Sequence, residues 1–177
     1  MVTIAIRENG SEIAELLQNM LAYKGFSLGT EKSPAESDYV LLSDTSKSCD
    51  ILLLHDPKDA GTRADYITII NADRSWEHIN PGKCLLISYG LSPLATLTAS
   101  SFRAEPENNR FFCCIQRSIV TLRGKIIEPQ EFPVLLPKTI SDISAGMAYV
   151  CLALLLSVPP EDFGHFVPSP ENDRKKL

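Results

Sequence analysis

Five short apolar runs constrain this chain more than any other feature. They lie at residues 2–6 (VTIAI), 39–42 (YVLL), 50–55 (DILLLH), 65–71 (DYITIIN) and 83–90 (KCLLISYG). Each is continuous rather than alternating. A strand with one wet face alternates apolar and polar residues, whereas a strand covered on both faces does not, and the second pattern belongs to parallel sheets. Polar, turn-rich stretches such as "DPKDAGTRA" and "ADRSWEHINPG" separate the later runs. The expected core is a mostly parallel sheet.

Helices flank it at both ends of the sequence. After the first run an Asn-Gly turn at Asn9 and Gly10 leads into a segment with Ile13, Leu16, Leu17, Met20 and Leu21 at helical spacing. Glu12 and Glu15 suit the positive end of that helix, and Gly25 suits its close, so a helix is expected over 11–25. A second helix is expected over 140–157, stopped by Pro159 and Pro160. Its apolar run, 147–158, is shorter than the roughly 20 residues that span a bilayer.

Between Gly90 and this second helix the pattern changes. "PLATLTASSFRA" alternates, setting Leu94, Thr96, Thr98 and Ser100 against Ala95, Leu97, Ala99 and Ser101. "RFFCCIQRSIVTLRGKIIEPQEFPVLLP" reads as two long strands joined at Arg123 and Gly124. The fold class that results is α/β, a mostly parallel sheet flanked by helices, with an antiparallel β extension from about residue 94 to 136. One domain over 1–163 and a polar, loose tail over 164–177 are expected.

Charge and cysteine usage exclude several roles. The 177 residues carry a net charge of −5 with scattered basic positions, which gives no footprint for nucleic acid. No signal peptide is expected, since Arg7 and Glu8 interrupt the first apolar run. The five cysteines are odd in number, sit in apolar stretches and form no C-x-x-C pair. They read as reduced thiols of a cytoplasmic protein, with the adjacent Cys113 and Cys114 pointing to opposite faces of a strand.

Several stretches in fixed order resemble the central domain of Mur ligases. In that family a strand ending in Asn-x-Asp precedes "TYGL" and then an alternating "ATVTA" strand. Here those are Asn71 to Asp73, Ser88 to Leu91 and Ala95 to Ala99. "ISAGMAYVCLALLLSVPPEDF" is similar to the family's "NALAAIALALALGVPPEDI" helix. The opening resembles its "GTNGKTTTAELL…G…G" stretch through Asn9, Gly10, Ala14 to Leu17, Gly25 and Gly29. The resemblance covers residues 2–30 and about 67–163, without the N- and C-terminal domains of complete members. It implies an ATP-dependent amide ligase fold, with a loop for triphosphate, bound magnesium and a carboxyl group activated as an acyl phosphate.

The residues that perform that chemistry are not where the resemblance puts them. A phosphate loop supplies backbone N–H groups, a lysine for the terminal phosphates and a hydroxyl for magnesium. Aligned on Asn9 and Gly10, the lysine position is Ser11 and the threonine position Glu12; aligned on Ala14 to Leu17, Gly10 takes the lysine position. The leading glycine becomes Arg7 or Ile6. Glu8 and Glu12 add negative charge, and two like charges 4 Å apart at an effective dielectric of 20 repel by about 4 kcal/mol. Asp44 stands for the magnesium-binding glutamate, "LLLHDPKD" for the "TN…DH" segment and Ala145 for the asparagine near adenine. The lysine carbamoylated in many members has no match.

Asn9, Gly10 and Ser11 are therefore a vestigial phosphate loop, and no catalytic residue, metal site or cofactor is expected. Arg7 and Glu8 form either a new anion or partner site or a structural ion pair. His55, Asp56 and Asp59 form a compact polar cluster after a strand, either an acid–base or metal site or a strand-end turn. His78 reads as a surface residue and His165 as part of the tail. Ser43, Ser46 and Ser48 lack a nucleophile-elbow frame. The expected function is a non-catalytic Mur-ligase-like domain in bacterial cell-wall metabolism. It would bind a protein partner or small ligand, not nucleic acid or membrane, with self-association left open. The alternatives are an ATP- and magnesium-dependent amide ligase with atypical residues or completed by a partner chain, and an unrelated small α/β enzyme centred on His55 and Asp56.

Overall fold

A computed structural model describes residues 1–31, 37–42, 48–56, 64–74 and 83–169. The apolar runs form strands β1 (Val2–Arg7), β3 (Tyr39–Leu42), β4 (Cys49–Leu54), β5 (Ala64–Asn71) and β6 (Leu85–Tyr89). A three-residue strand, β2 (Leu28–Thr30), is added at the edge. It is too short to leave a periodic signal, and it forms because Tyr39 and its neighbours offer it a parallel partner. Ser27 and Asp38 brace its entry: the Ser27 N–H donates to the Asp38 carboxylate at 2.8 Å. β7 (Leu97–Ala104), β8 (Asn108–Ile115) and β11 (Gln130–Pro137) extend the sheet.

The nine strands run in the order β11-β8-β7-β6-β5-β4-β1-β3-β2. Pairing is parallel from β2 through β7 and antiparallel across β7-β8-β11. This is the expected mostly parallel sheet with an antiparallel extension. The 116–129 stretch departs from expectation. Instead of two uninterrupted long strands, β9 (Ile119–Val120) and β10 (Ile126–Ile127) form a separate small hairpin. Its turn does lie at Arg123 and Gly124, with Gly124 at φ +77°. Pro129 has no N–H to continue a ladder, so β11 begins just after it. The Leu122 N–H donates to the Leu155 carbonyl at 2.9 Å, tying the hairpin to the end of the second helix.

Helices α1 (Glu12–Tyr23) and α2 (Ile143–Leu155) lie together on one face. The five α1 residues at helical spacing are all buried there. They pack in one core with Ile4, Ile51, Leu53, Ile67, Ile69, Ile87, Tyr89 and Leu97, the residues that strand periodicity turns to that side. α2 is buried on every side, because α1, β5, β6 and β7 all pack against it. On the opposite face Ala5, Val40, Leu42, Cys49, Leu52 and Leu54 form a smaller cluster. Both faces are thus covered at β1, β3 and β4. At β5 and β6 the cover is incomplete: Tyr66 is 63% exposed and Leu85 and Leu86 about half. Both α-helices of the described residues lie on the other face, which explains the exposure of Tyr66 and Leu86.

After α2, Pro160–Gly164 forms a short 3-10 helix against β11, and Phe166 stacks on Tyr23 with ring centroids 4.1 Å apart. Residues 170–177 lie outside the described residues. Cys113 faces the helical core, while Cys114, on the other face, donates to Glu131 Oε1 at 3.5 Å.

Candidate functional site

The parallel strands end at one edge, where ligands of open α/β sheets bind. Five segments meet there: the β1–α1 loop, the ends of β4, β5 and β6, and the start of α2.

The β1–α1 loop carries Asn9, Gly10 and Ser11, the residues expected from the sequence to be a vestigial phosphate loop. Gly10, at φ +125°, lets the chain reverse into the helix. The first free N–H groups of a helix are the anion-binding element of a phosphate loop. Here the Glu8 carboxylate takes two of them, accepting from Ile13 N at 2.9 Å and Ala14 N at 3.1 Å. Ser11, at the helix N-cap, donates its hydroxyl to Glu15 rather than to its own helix amides. Glu8 therefore caps the helix in place of Ser11. The residues present do not fit a triphosphate. A carboxylate already sits on the amides, and Ser11 and Gly10 carry no cation to replace it.

Asn9 and Asp56, predicted as parts of separate features, meet: Asn9 Nδ2 donates to Asp56 Oδ2 at 2.6 Å. Asp59 and Asp44, like Ser43, Ser46 and His78, lie outside the described residues. His55 continues the β4 ladder, donating its backbone N–H to the Arg7 carbonyl at 2.9 Å. Its ring points instead towards β6 and α2. Nδ1 lies 2.7 Å from the Tyr89 hydroxyl, and Nε2 lies 3.8 Å from Asp142 Oδ2. Burial holds the Tyr89 phenol far above its ordinary pKa, so it keeps its proton. Which of the two atoms donates depends on the tautomer of the ring.

Asp142 has a second task. Its Oδ1 accepts from Ser144 N at 2.8 Å and caps α2. The Ser144 hydroxyl accepts from Asn71 Nδ2 at 2.9 Å, and Asn71 Oδ1 accepts from Asp73 N at 3.0 Å. The Asp73 carboxylate accepts from Leu91 N at 2.7 Å and Ser92 N at 3.0 Å. It lies so close to Gly90, at φ +148°, that a Cβ there would stand 2.8 Å from the carboxyl atoms. The Asn-x-Asp pair and the glycine after Tyr89 thus form one clamp that holds the β5 end, the β6–β7 loop and the start of α2. Sequence reading missed Tyr89 and Asp142 as partners of His55. The available signal was positional only, each standing at a strand end or helix start on the same edge. Among the described residues no three His, Cys, Asp or Glu side chains come together as metal ligands, and no helix is long and apolar enough to cross a membrane.

No family model matches the sequence, and no curated protein matches it. Solved structures share the fold. The UDP-N-acetylmuramoylalanyl-D-glutamyl-2,6-diaminopimelate–D-alanyl-D-alanyl ligase from Acinetobacter baumannii superposes with a TM-score of 0.63 at 12% identity over 93% of this chain. The MurF ligase from Thermotoga maritima in complex with ADP gives 0.58 at 11%, again over 93%. The UDP-N-acetylmuramate:L-alanyl-gamma-D-glutamyl-meso-diaminopimelate ligase from Neisseria meningitides gives 0.54 at 11%, over 93% as well. The chain spans 45%, 48% and 65% of these proteins respectively. The fold is that of the central part of Mur ligases, as the sequence resemblance implies.

Proposed function

We propose that this chain is a non-catalytic Mur-ligase-like domain whose phosphate loop is closed by its own Glu8. It acts as a binding or accessory protein in bacterial cell-wall metabolism. The observation that carries this reading is the Glu8 carboxylate on the Ile13 and Ala14 amides. An internal anion holds the groups that a nucleotide phosphate needs, and Ser11 supplies no charge to outcompete it. The tightly satisfied polar network around His55 supports the same reading, since each of its carboxylates caps a helix, grips a loop or pairs with an amide. The link to the cell wall comes from the muramoyl-peptide ligases that share the fold, an analogy of fold alone.

The test is the melting temperature with and without millimolar Mg-ATP. A ligand at about 100 times its dissociation constant stabilises its protein by about 2.7 kcal/mol. The expected result is no change. A saturable rise would restore the reading of an ATP-dependent ligase with atypical residues.

A further inference from the structure

The β7–β8 hairpin carries a second polar constellation, remote in sequence from the phosphate loop. Its register shifts between Ser100, opposite Phe112, and Arg103, opposite Arg110. Two residues of β7, Ser101 and Phe102, thus face one of β8, a β-bulge, and Ser101 adopts φ +54°, rare for a residue with a Cβ. The bulge places two arginines directly across the ladder from each other. Like charges in that position destabilise a sheet. They recur here in a chain of net charge −5 that has acidic residues to spare.

A surface cavity lies beside them. Ser101, Arg103, Arg110 and Phe112 line a cavity of about 270 Å3. The Arg110 guanidinium lies over the Phe112 ring, 5.1 Å from its centroid, which fixes the plane of the fork. Its buried Nε–H has no hydrogen-bond partner among the described residues. Its Nη1 lies 3.8 Å from Glu105 Oε1, beyond hydrogen-bond reach and on side chains 38% exposed, a pair too weak to account for the arrangement.

We propose that this cavity binds a small oxyanion, a carboxylate or a phosphate monoester, between Arg103 and Arg110. The paired guanidinium groups supply charge and forked donors, the Ser101 hydroxyl a further donor, and Phe112 an apolar wall for the body of the ligand. The volume lies just below the range of roughly 300 to 1,000 Å3 typical of drug-sized ligands, so a single acidic group on a small body fits better than a nucleotide.

The experiment titrates the intact chain with phenyl phosphate, with benzoate and with neutral benzyl alcohol, following the Arg Nε–H and backbone amide signals by heteronuclear NMR. At least one acidic probe is expected to shift the Arg110 Nε–H and the Ser101 amide saturably, and the stronger of the two names the acid. Benzyl alcohol leaves them unmoved. R110K, which keeps the charge and loses the fork, and R103Q each weaken binding by about tenfold or more. R103Q also melts higher than the parent in the absence of anion, because it relieves the opposed charges. E8A leaves binding unchanged, which separates this site from the phosphate loop. No saturable shift with either acid, binding by R103Q and R110K as strong as by the parent, or binding of the alcohol as strong as of the acids overturns the proposal.

Discussion

Removing the Glu8 carboxylate tests the structural core of the proposed function directly. In the native chain it accepts from two backbone N–H groups at the start of α1, at 2.9 and 3.1 Å. Ser11, the N-cap residue, makes no cap with its side chain, so nothing else in the loop stands ready for those amides. Loss of a helix cap costs about 0.5–2 kcal/mol. A negative charge beside the positive end of a helix contributes a further ~0.3–1 kcal/mol. The amides of Glu8→Ala are partly rehydrated, so the smaller sum applies and a loss of about 1–2 kcal/mol is expected. For a chain of this size each kcal/mol moves the melting temperature by roughly 2–4 °C, so the midpoint falls by about 2–8 °C. Glu8→Gln, which keeps an acceptor oxygen without the charge, falls about half as far. The assay is thermal melting by circular dichroism, paired with hydrogen exchange at Ile13 and Ala14. Both amides lose protection in Glu8→Ala, while those in the middle of α1 lose little. An unchanged midpoint with unchanged exchange at Ile13 and Ala14 refutes the placement of Glu8, and with it the argument that the loop is closed from within.

Three further outcomes follow from the same geometry. Asp142→Ala removes the cap of α2 and the carboxylate facing His55, and a loss of about 1 kcal/mol is expected in urea denaturation. Ser141→Ala, at the exposed position just before the cap, serves as the control and leaves the urea midpoint unchanged. Gly90→Ala forces a side chain into left-handed backbone and into the Asp73 carboxyl; about 1–3 kcal/mol or more is lost, with faster hydrogen exchange at Leu91 and Ser92. Burial pushes the thiols of Cys49 to about 11 and Cys151 to about 12, against 9.0 without burial. The unfolded chain releases these protons first, so stability is full below about pH 9 and falls as pH rises from there through the folded values. Urea midpoints measured from about pH 8 to about pH 10 should decline, and less steeply in Cys151→Ala.

The fold was legible wherever burial wrote a period into the sequence. Continuous apolar runs marked β1, β3, β4, β5 and β6, and helical spacing in α1 picked out Ile13, Leu16, Leu17, Met20 and Leu21 as its buried face. β2 left no signal because three residues hold less than one readable period. The 116–129 stretch misled because Ile119, Val120, Ile126 and Ile127 are as strand-like as their neighbours, and only Pro129 argued for a break. Of the site, the loop glycine and the missing lysine were visible, since both concern which residue stands at one position.

Chain order alone determined that a strand, an Asn-Gly turn and a helix follow one another over residues 2–23, and that no lysine stands at the loop. Tertiary structure decided which group meets the first helix amides. The Glu8 side chain could have turned to solvent, to Arg7 or to the helix, and the path through Gly10 selects the helix amides. His55 meets Tyr89 and Asp142 only because parallel strands all end at one edge. Arg103 faces Arg110 only because a bulge shifts the register, and in a sheet a shift of one residue moves a side chain to the opposite face.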